Sequence, residues 1–359
     1  TQPRMAEAIT KATQKEYPNG IRNYGSDALR FTFCAYASPG RNINFDLSRV
    51  EGYHYFCNKL WNASRFVLMN VHSIGELRVD NQSLADRWIV SRMRQLIIDA
   101  HEAVGSYRFD LYANVVYEFI WHEFCDWYVE LTKSVFFDPA AESREVEAAS
   151  STLITVLEML LRVAHPIMPY ITETLWREIA PLAGITAKTL MLQPFPQMQD
   201  AGLDEEADIA IHWLKDVITA VRNIRGERGV KPSQEVVLML QGGTPRDIQL
   251  SKTTAKLLQR QAKLRDEIVW LDADDPVPAS SVQLVHHLKV IVPFTDPDEA
   301  KAEQQRLASE INKKQMTLDK LGSKLGNPNF IEKAPADVVA KEQARLDELS
   351  SQIETLRQQ

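Results

Sequence analysis

The sequence predicts a mainly α protein in three parts: an antiparallel helical bundle, a small α/β unit and a C-terminal antiparallel coiled-coil hairpin. Three observations carry this. From Ser26 to about Ile179, apolar residues recur in steps of three and four, as on a helix with one buried face. After Pro194-Phe195-Pro196, short β-branched runs appear between glycine and proline breaks. Beyond Ala300 the apolar steps alternate between four and three, the heptad pattern of two helices sharing a narrow seam.

The elements follow in order. Ser26 and Asp27 suit an N-cap and first turn ahead of Leu29, Phe31 and Ala35, and Pro39-Gly40 ends that helix. A second helix begins near Asp46 or Leu47 and runs through Phe56, Leu60, Ala63, Phe66 and Val67. The polar stretch His72 to Asn81 reads as a loop, and Ser83 starts a third helix through Trp88, Met93 and Leu96. A fourth covers Leu111 to Leu131 and a fifth Val146 to Ala164, closed by His165-Pro166. Pro169 opens a short helix that ends before Pro181. Long amphipathic helices joined by modest loops make a bundle, placed at 41–199.

The α/β unit occupies 200–295. It combines a helix from Asp204 to Arg225, a run Val236 to Leu240, a short helix near Thr253 to Leu264, and runs at Ile268–Leu271, Val282–Val285 and Leu288–Val292. The hairpin occupies 296–359. Its first seam reads Ala300, Gln304, Leu307, Ile311, Lys314, Leu318, Leu321 and Leu325. After Gly326-Asn327-Pro328, the second reads Val339, Glu342, Leu346, Leu349, Ile353 and Leu356. The polar residues in so narrow a seam suit a projecting arm better than a helix packed into a core.

At 359 residues the chain has room for two or three domains, and 45% apolar with 25% charged residues is ordinary for a soluble globular protein. No apolar run approaches the roughly 20 residues of a membrane span. Thr1 is not a methionine and no apolar leader follows it, which suggests the interior of a longer chain. Cys34, Cys57 and Cys125 are widely spaced and read as thiols in a reducing, cytoplasmic compartment. A net charge of −7 offers no support for a nucleic-acid partner, but phosphate binding needs only a local basic face.

Catalytic and cofactor motifs are absent: no phosphate-cradling glycine loop, no dinucleotide fingerprint and no His-Glu-x-x-His occurs. His122 and Cys125 lie three apart without a second ligand pair, so no metal is expected. His286-His287 reads as a partly exposed strand edge.

What remains is polar and aromatic. The stretch Asn58 to Phe66 puts Asn58, Asn62 and Arg65 on one helical stripe, and Lys59, Asn62 and Phe66 on an overlapping one. Amide, cation and aromatic side chains suit unstacked bases. The same spacing also suits a core face with Leu60, Trp61 and Phe66 buried. Phe124 to Tyr128 is equally open, with Asp126 available to orient Arg87 or Arg65. The run Arg222 to Lys231 partly complements a helix C-terminus, leaving Arg228 and Lys231 as phosphate candidates.

In this order and at these intervals, Gly25 to Phe31, Gly40 to Asp46, Asn58 to Phe66, Phe124 to Tyr128 and His165 to Tyr170 resemble the carboxy-terminal half of bacterial valyl-tRNA synthetases, class I enzymes. The resemblance covers essentially the whole chain. Single motifs are shared with isoleucyl and leucyl relatives. The tail separates them: no cysteine follows Cys125, so the zinc module of many isoleucyl enzymes is missing, and Asn329 to Pro335 with Val338, Val339 and Glu342 resembles the valyl arm.

The resemblance implies a bundle of the class I anticodon-binding type, with 1–40 a connector from a catalytic core that this sequence lacks. It implies tRNA-Val as partner, that core in cis, no membrane and a monomer. The chain itself would hold no cofactor and be inactive alone, ATP with Mg belonging to the catalytic domain. Carried over by position, Lys59 and Phe66 would contact anticodon bases with Asn58, Asn62 and Arg65 in support. Arg41 and Arg49 would reach phosphates, and Lys313, Lys320, Lys324 and Arg345 would lie along the arm. The alternative is a structural protein whose arm binds a protein partner, which a second apolar stripe on the arm would favour.

Overall fold

The computed structural model describes residues 5–20, 22–38, 40, 45–71, 82–197, 202–326 and 336–358. The expected loop His72 to Asn81, Arg41 and the Asn327-Pro328 turn lie outside the described residues. The chain forms two compact units, Thr1–Ile211 and His212–Gln359, dividing within one long helix.

In the first unit, helix α1 (Ala6–Glu16) buries none of its residues, and the sequence pattern had not marked it. Helix α2 (Ser26–Tyr36) is capped by Gly25 at φ +90°, a backbone state that favours glycine, so Ser26 is the first helical residue rather than the cap. Asp27 is used elsewhere. Its carboxylate accepts from the backbone N–H groups of Tyr170 and Ile171, at 3.2 and 2.7 Å. Asp27 therefore caps α8 (Pro169–Leu182) across the fold, where the helix dipole favours negative charge. Pro181 falls inside α8, one residue from its end, where its missing N–H costs a single ladder bond.

Asp46 caps α3 (Leu47–Asn70), and Ser83 with Asp86 forms a reciprocal capping box on α4 (Leu84–Gly105). The expected fourth helix is continuous but longer and of mixed type: α5 (Phe109–Glu118), a π segment (Phe119–Tyr128) and α6 (Val129–Phe136). Helix α7 (Ser143–Ala164) buries most of its residues and packs on α4 and α8.

The core of this unit is aromatic and aliphatic, with Phe31, Phe56, Tyr112, Phe124, Tyr128 and Trp176 almost completely buried. Its buried polar groups are paired with each other. The Tyr128 hydroxyl donates to Asp86 at 2.6 Å. Glu158, 3% exposed, accepts two guanidinium groups' worth of N–H from Arg162 and the Trp176 indole N–H at 2.8 Å. Such pairing offsets the cost of removing a carboxylate from water.

In the second unit, α9 (Glu205–Glu227) leads to a four-stranded sheet of order β2-β1-β4-β3. Strands β1 (Met239–Gln241) and β2 (Val269–Leu271) run parallel across α10 (Pro245–Ala262). Strand β4 (Leu288–Pro293) is antiparallel to β1 and to β3 (Ser280–Val285). Two expectations shift. Of the run Val236 to Leu240, Val236 makes only a bridge to Leu264, and α10 begins at Pro245 under a Thr244–Asp247 capping box, eight residues before the predicted start. His286 and His287 form the β3–β4 turn rather than a strand edge, with His286 at φ +55°.

Helices α11 (Pro297–Leu325) and α12 (Ala336–Gln358) pair antiparallel. Lys314 donates to Gln352 and Lys324 to Glu342, both at 2.7 Å, so residue numbers rise on one helix as they fall on the other. Leu321 and Ile353 are buried in the seam, with Leu307, Ile311, Leu318, Leu346 and Leu349 half-buried and Gln304 exposed.

Candidate functional site

Helix α3 buries Phe56, Leu60, Ala63, Ser64 and Val67, which turns Asn58, Lys59, Asn62 and Phe66 toward its solvent edge. Of the expected core alternative, only Leu60 is fully inside; Trp61 is exposed and Phe66 half-buried. The π segment runs alongside α3. In a regular helix of 3.6 residues per turn, Trp121 and Asp126 would stand about 140° apart. The i→i+5 ladder of a π segment instead brings residues five apart onto one side. Both meet Lys59 here. Its ammonium lies 3.8 Å from the centre of the Trp121 ring and forms an ion pair with Asp126 Oδ1.

The groove between α3 and the π segment has a volume of about 440 Å³ and is lined by Lys59, Asn62, Phe66, Asp126, Glu130 and Lys133. Phe66 stands edge-on to Phe136 and Phe137, each at 6.3 Å, and the Lys133 ammonium lies 5.3 Å from its ring centre. Lys133 donates to Glu130 at 2.6 Å. Cys125 also lines the groove; burial pushes its thiol up to about 12, against the opposing pull of Lys59, so it stays protonated and unreactive at neutral pH. Cations and carboxylates compensate one another around an aromatic face. That arrangement grips phosphates weakly and suits base edges: Lys59, Asn62 and Lys133 donate, Asp126, Glu130 and the Asn62 oxygen accept, and Phe66 offers a stacking surface.

The structure distributes the other sequence candidates unevenly. Asn58 is exposed and bonded through Nδ2 to His54 at 3.3 Å, and Arg65 is exposed one turn from Asn62. Arg49 is exposed with its guanidinium 5.5 Å from the Tyr36 ring centre. Arg41 lies outside the described residues. Arg228 is a correction: its guanidinium donates to the Val292 and Pro293 carbonyls, both at 3.2 Å, and lies 4.7 Å from the Phe294 ring centre. It clamps the end of α9 to the end of β4 instead of facing a phosphate. Lys231 is exposed, its carbonyl accepting from Arg225. On the arm, Lys313, Lys320 and Arg345 are exposed, whereas Lys324 pairs with Glu342 and holds that carboxyl below its usual range.

Two further sequence expectations are revised. Asp126 orients Lys59 and lies 3.5 Å from His122 Nδ1; Arg87 pairs instead with Asp204 at 2.7 Å. Trp121 and Lys133 escaped sequence reasoning. A signal existed for Lys133, since Asp126, Glu130 and Lys133 follow steps of four and three from the aromatic cluster. None existed for Trp121, whose position depends on the π register. Among the described residues no group of three or more His, Cys, Asp or Glu side chains is arranged to hold a metal ion. None of the described helices is long and apolar enough to cross a membrane.

Comparison with known proteins adds three findings. Residues 86–240 match the model of the anticodon-binding domain of tRNA ligase. Residues 299–359 match the model of the valyl tRNA synthetase tRNA binding arm. Along its whole length the chain is 41% identical to the valine--tRNA ligase of Coxiella burnetii (strain RSA 493 / Nine Mile phase I), and it spans 39% of the length of that protein. The first match begins after α3, so the α3 side of the groove is covered by the whole-length identity alone.

Proposed function

The chain belongs to the valyl-tRNA synthetase family, and on that premise we propose that it binds a valine-accepting tRNA, reading unstacked anticodon bases in the groove between α3 and the π segment. One observation carries the reading. A half-buried lysine is fixed between an indole face and a carboxylate, beside a phenylalanine with room against its ring. A core lysine needs no such groove, and a phosphate site would not neutralise its own cation.

Lys59 and Phe66 contact bases in this account, Asn62 with Asp126 and Glu130 completes the edge contacts, and Arg65 and Arg49 approach the backbone. Lys313, Lys320 and Arg345 on α11 and α12 brace the body of the tRNA. Arg228 and Lys324 are left out, being engaged within the protein. The corresponding full-length enzyme joins valine to tRNA; ATP and Mg would bind outside these residues, since the sequence offers no phosphate-cradling loop. The proposal includes a cytoplasmic monomer. A protein-binding arm is less well supported: among the described residues of α11 and α12, only Met316 and Val338 are large exposed apolar side chains, too few for a second stripe.

The test is a titration of the chain with a valine-accepting tRNA and with an otherwise identical transcript carrying another anticodon. Each lost base contact should cost about 1–3 kcal/mol. Equal affinity for the two at moderate salt contradicts the reading.

A further inference from the structure

A second recess lies beside the groove, and nothing in the family matches assigns it. It is a cleft of about 340 Å³ between α3 and the helix bearing the π segment, lined by Arg49, Gly52, Tyr53, Tyr55, Tyr117 and Trp121. We propose that this cleft receives a further unstacked nucleobase of the same RNA, a reading that rests on the function proposed above.

Its walls are aromatic and set at right angles. Tyr117 and Trp121 stack with centres 5.6 Å apart and planes at 16°, while Tyr53 meets Tyr117 at 6.1 Å and 85°. Tyr55 is 55% exposed, so the cleft opens to solvent through an aromatic rim. Single exposed aromatics are ordinary; four around one recess are not.

Gly52 is the second observation. It sits inside α3, where glycine is destabilising relative to alanine, and a Cβ built there meets no atom within 4 Å. Internal packing therefore gives no reason for the missing side chain. A ligand approaching the helix backbone does.

The third observation identifies the ligand. Arg49 and Lys59 flank the aromatic walls, and Lys59 belongs to both recesses: it lines the groove while its ammonium lies on the Trp121 ring of the cleft. A single strand of RNA can thus place adjacent bases in each, stacked on aromatic faces with cations beside the backbone. An aromatic groove can also take a proline-rich peptide. The paired cations and the shared lysine favour the nucleobase.

The test uses three variants of the chain, Tyr55→Ala, Gly52→Leu and Gly52→Ala, titrated with the valine-accepting tRNA and with transcripts carrying one abasic position at a time in the anticodon loop. Tyr55→Ala should weaken binding about tenfold. Gly52→Leu should do so while the protein unfolds at the same or higher denaturant concentration, a combination that damaged folding cannot produce. Gly52→Ala reports the helix effect alone and should bind nearly as the wild type. One abasic transcript should lose affinity for the wild type and not for Gly52→Leu. Affinities of Tyr55→Ala and Gly52→Leu within twofold of wild type would overturn the cleft while leaving the groove intact. A wild-type chain indifferent to the anticodon but weakened by both variants would overturn the groove reading instead. A wild-type chain that binds no tRNA overturns both.

Discussion

Lys59 brings a positive charge into a groove where Asp126 already waits, so much of its attraction for RNA is spent inside the free protein. Asp126→Asn should release that charge. Affinity for tRNA at low salt should rise, and the logarithmic dependence of affinity on salt should steepen by about 0.7 to 0.9, one further counterion released. Discrimination between anticodons should fall, because an acceptor for base amino groups is weakened. A salt titration of wild type and variant reads both effects, and an unchanged slope would mean that Lys59 is not the cation Asp126 restrains. At this scale the sequence was half legible. Asn58, Lys59, Asn62 and Phe66 share a stripe because α3 is regular. Trp121 and Asp126 converge only because their helix is not, and nothing in local spacing announces a π ladder. Arg228 shows the opposite failure: a basic run at a helix end resembles a phosphate site until its carbonyl partners, contributed by a strand some 65 residues away, are seen.

Elements were more legible than residues, since period and caps are local. Asp46, Ser83 and the Pro169 start of α8 stand where the capping residues predict them. Departures occur where a distant partner decides. Asp27 caps α8 instead of its own helix, and α10 starts early because Asp247 is held from three directions. Asp247 accepts from the Thr244 hydroxyl and backbone N–H and from the Trp213 indole, and His287 Nε2 lies 3.0 Å away. Burial would raise its pKa, but those bonds outweigh it and hold the carboxyl at about 2. A depressed pKa stabilises the folded state above the unfolded value, near 4, and that contribution is lost as the pH falls from about 4 to about 2. It amounts to about 2 kcal/mol. Asp247→Asn should therefore be less stable by about that much at neutral pH, with the gap to wild type closing over that acid window. Denaturant unfolding at a series of pH values checks it; a constant gap would show that the carboxylate's charge is not what matters.

At the scale of the molecule, composition and net charge said little about function, and the order of motifs said most. A chain of net charge −7 binds RNA, in this account, through small local constellations whose charges are largely balanced. The division into units at Ile211 and His212, inside α9, had no composition shift or breaker to mark it, because a continuous helix serves both sides. The 41% identity across the full length and the two family matches agree with the helical, tRNA-directed reading, while the groove itself became visible only when two helices were set side by side. The central claim is that this groove reads the anticodon, and Phe66 is its stacking face. The most direct measurement is the ratio of affinities for the valine-accepting tRNA and its anticodon-swapped twin, taken for wild type and for Phe66→Ala with circular dichroism unchanged. The ratio should fall about tenfold, toward one, in the variant. A ratio that survives the loss of Phe66 would place anticodon reading elsewhere in the chain.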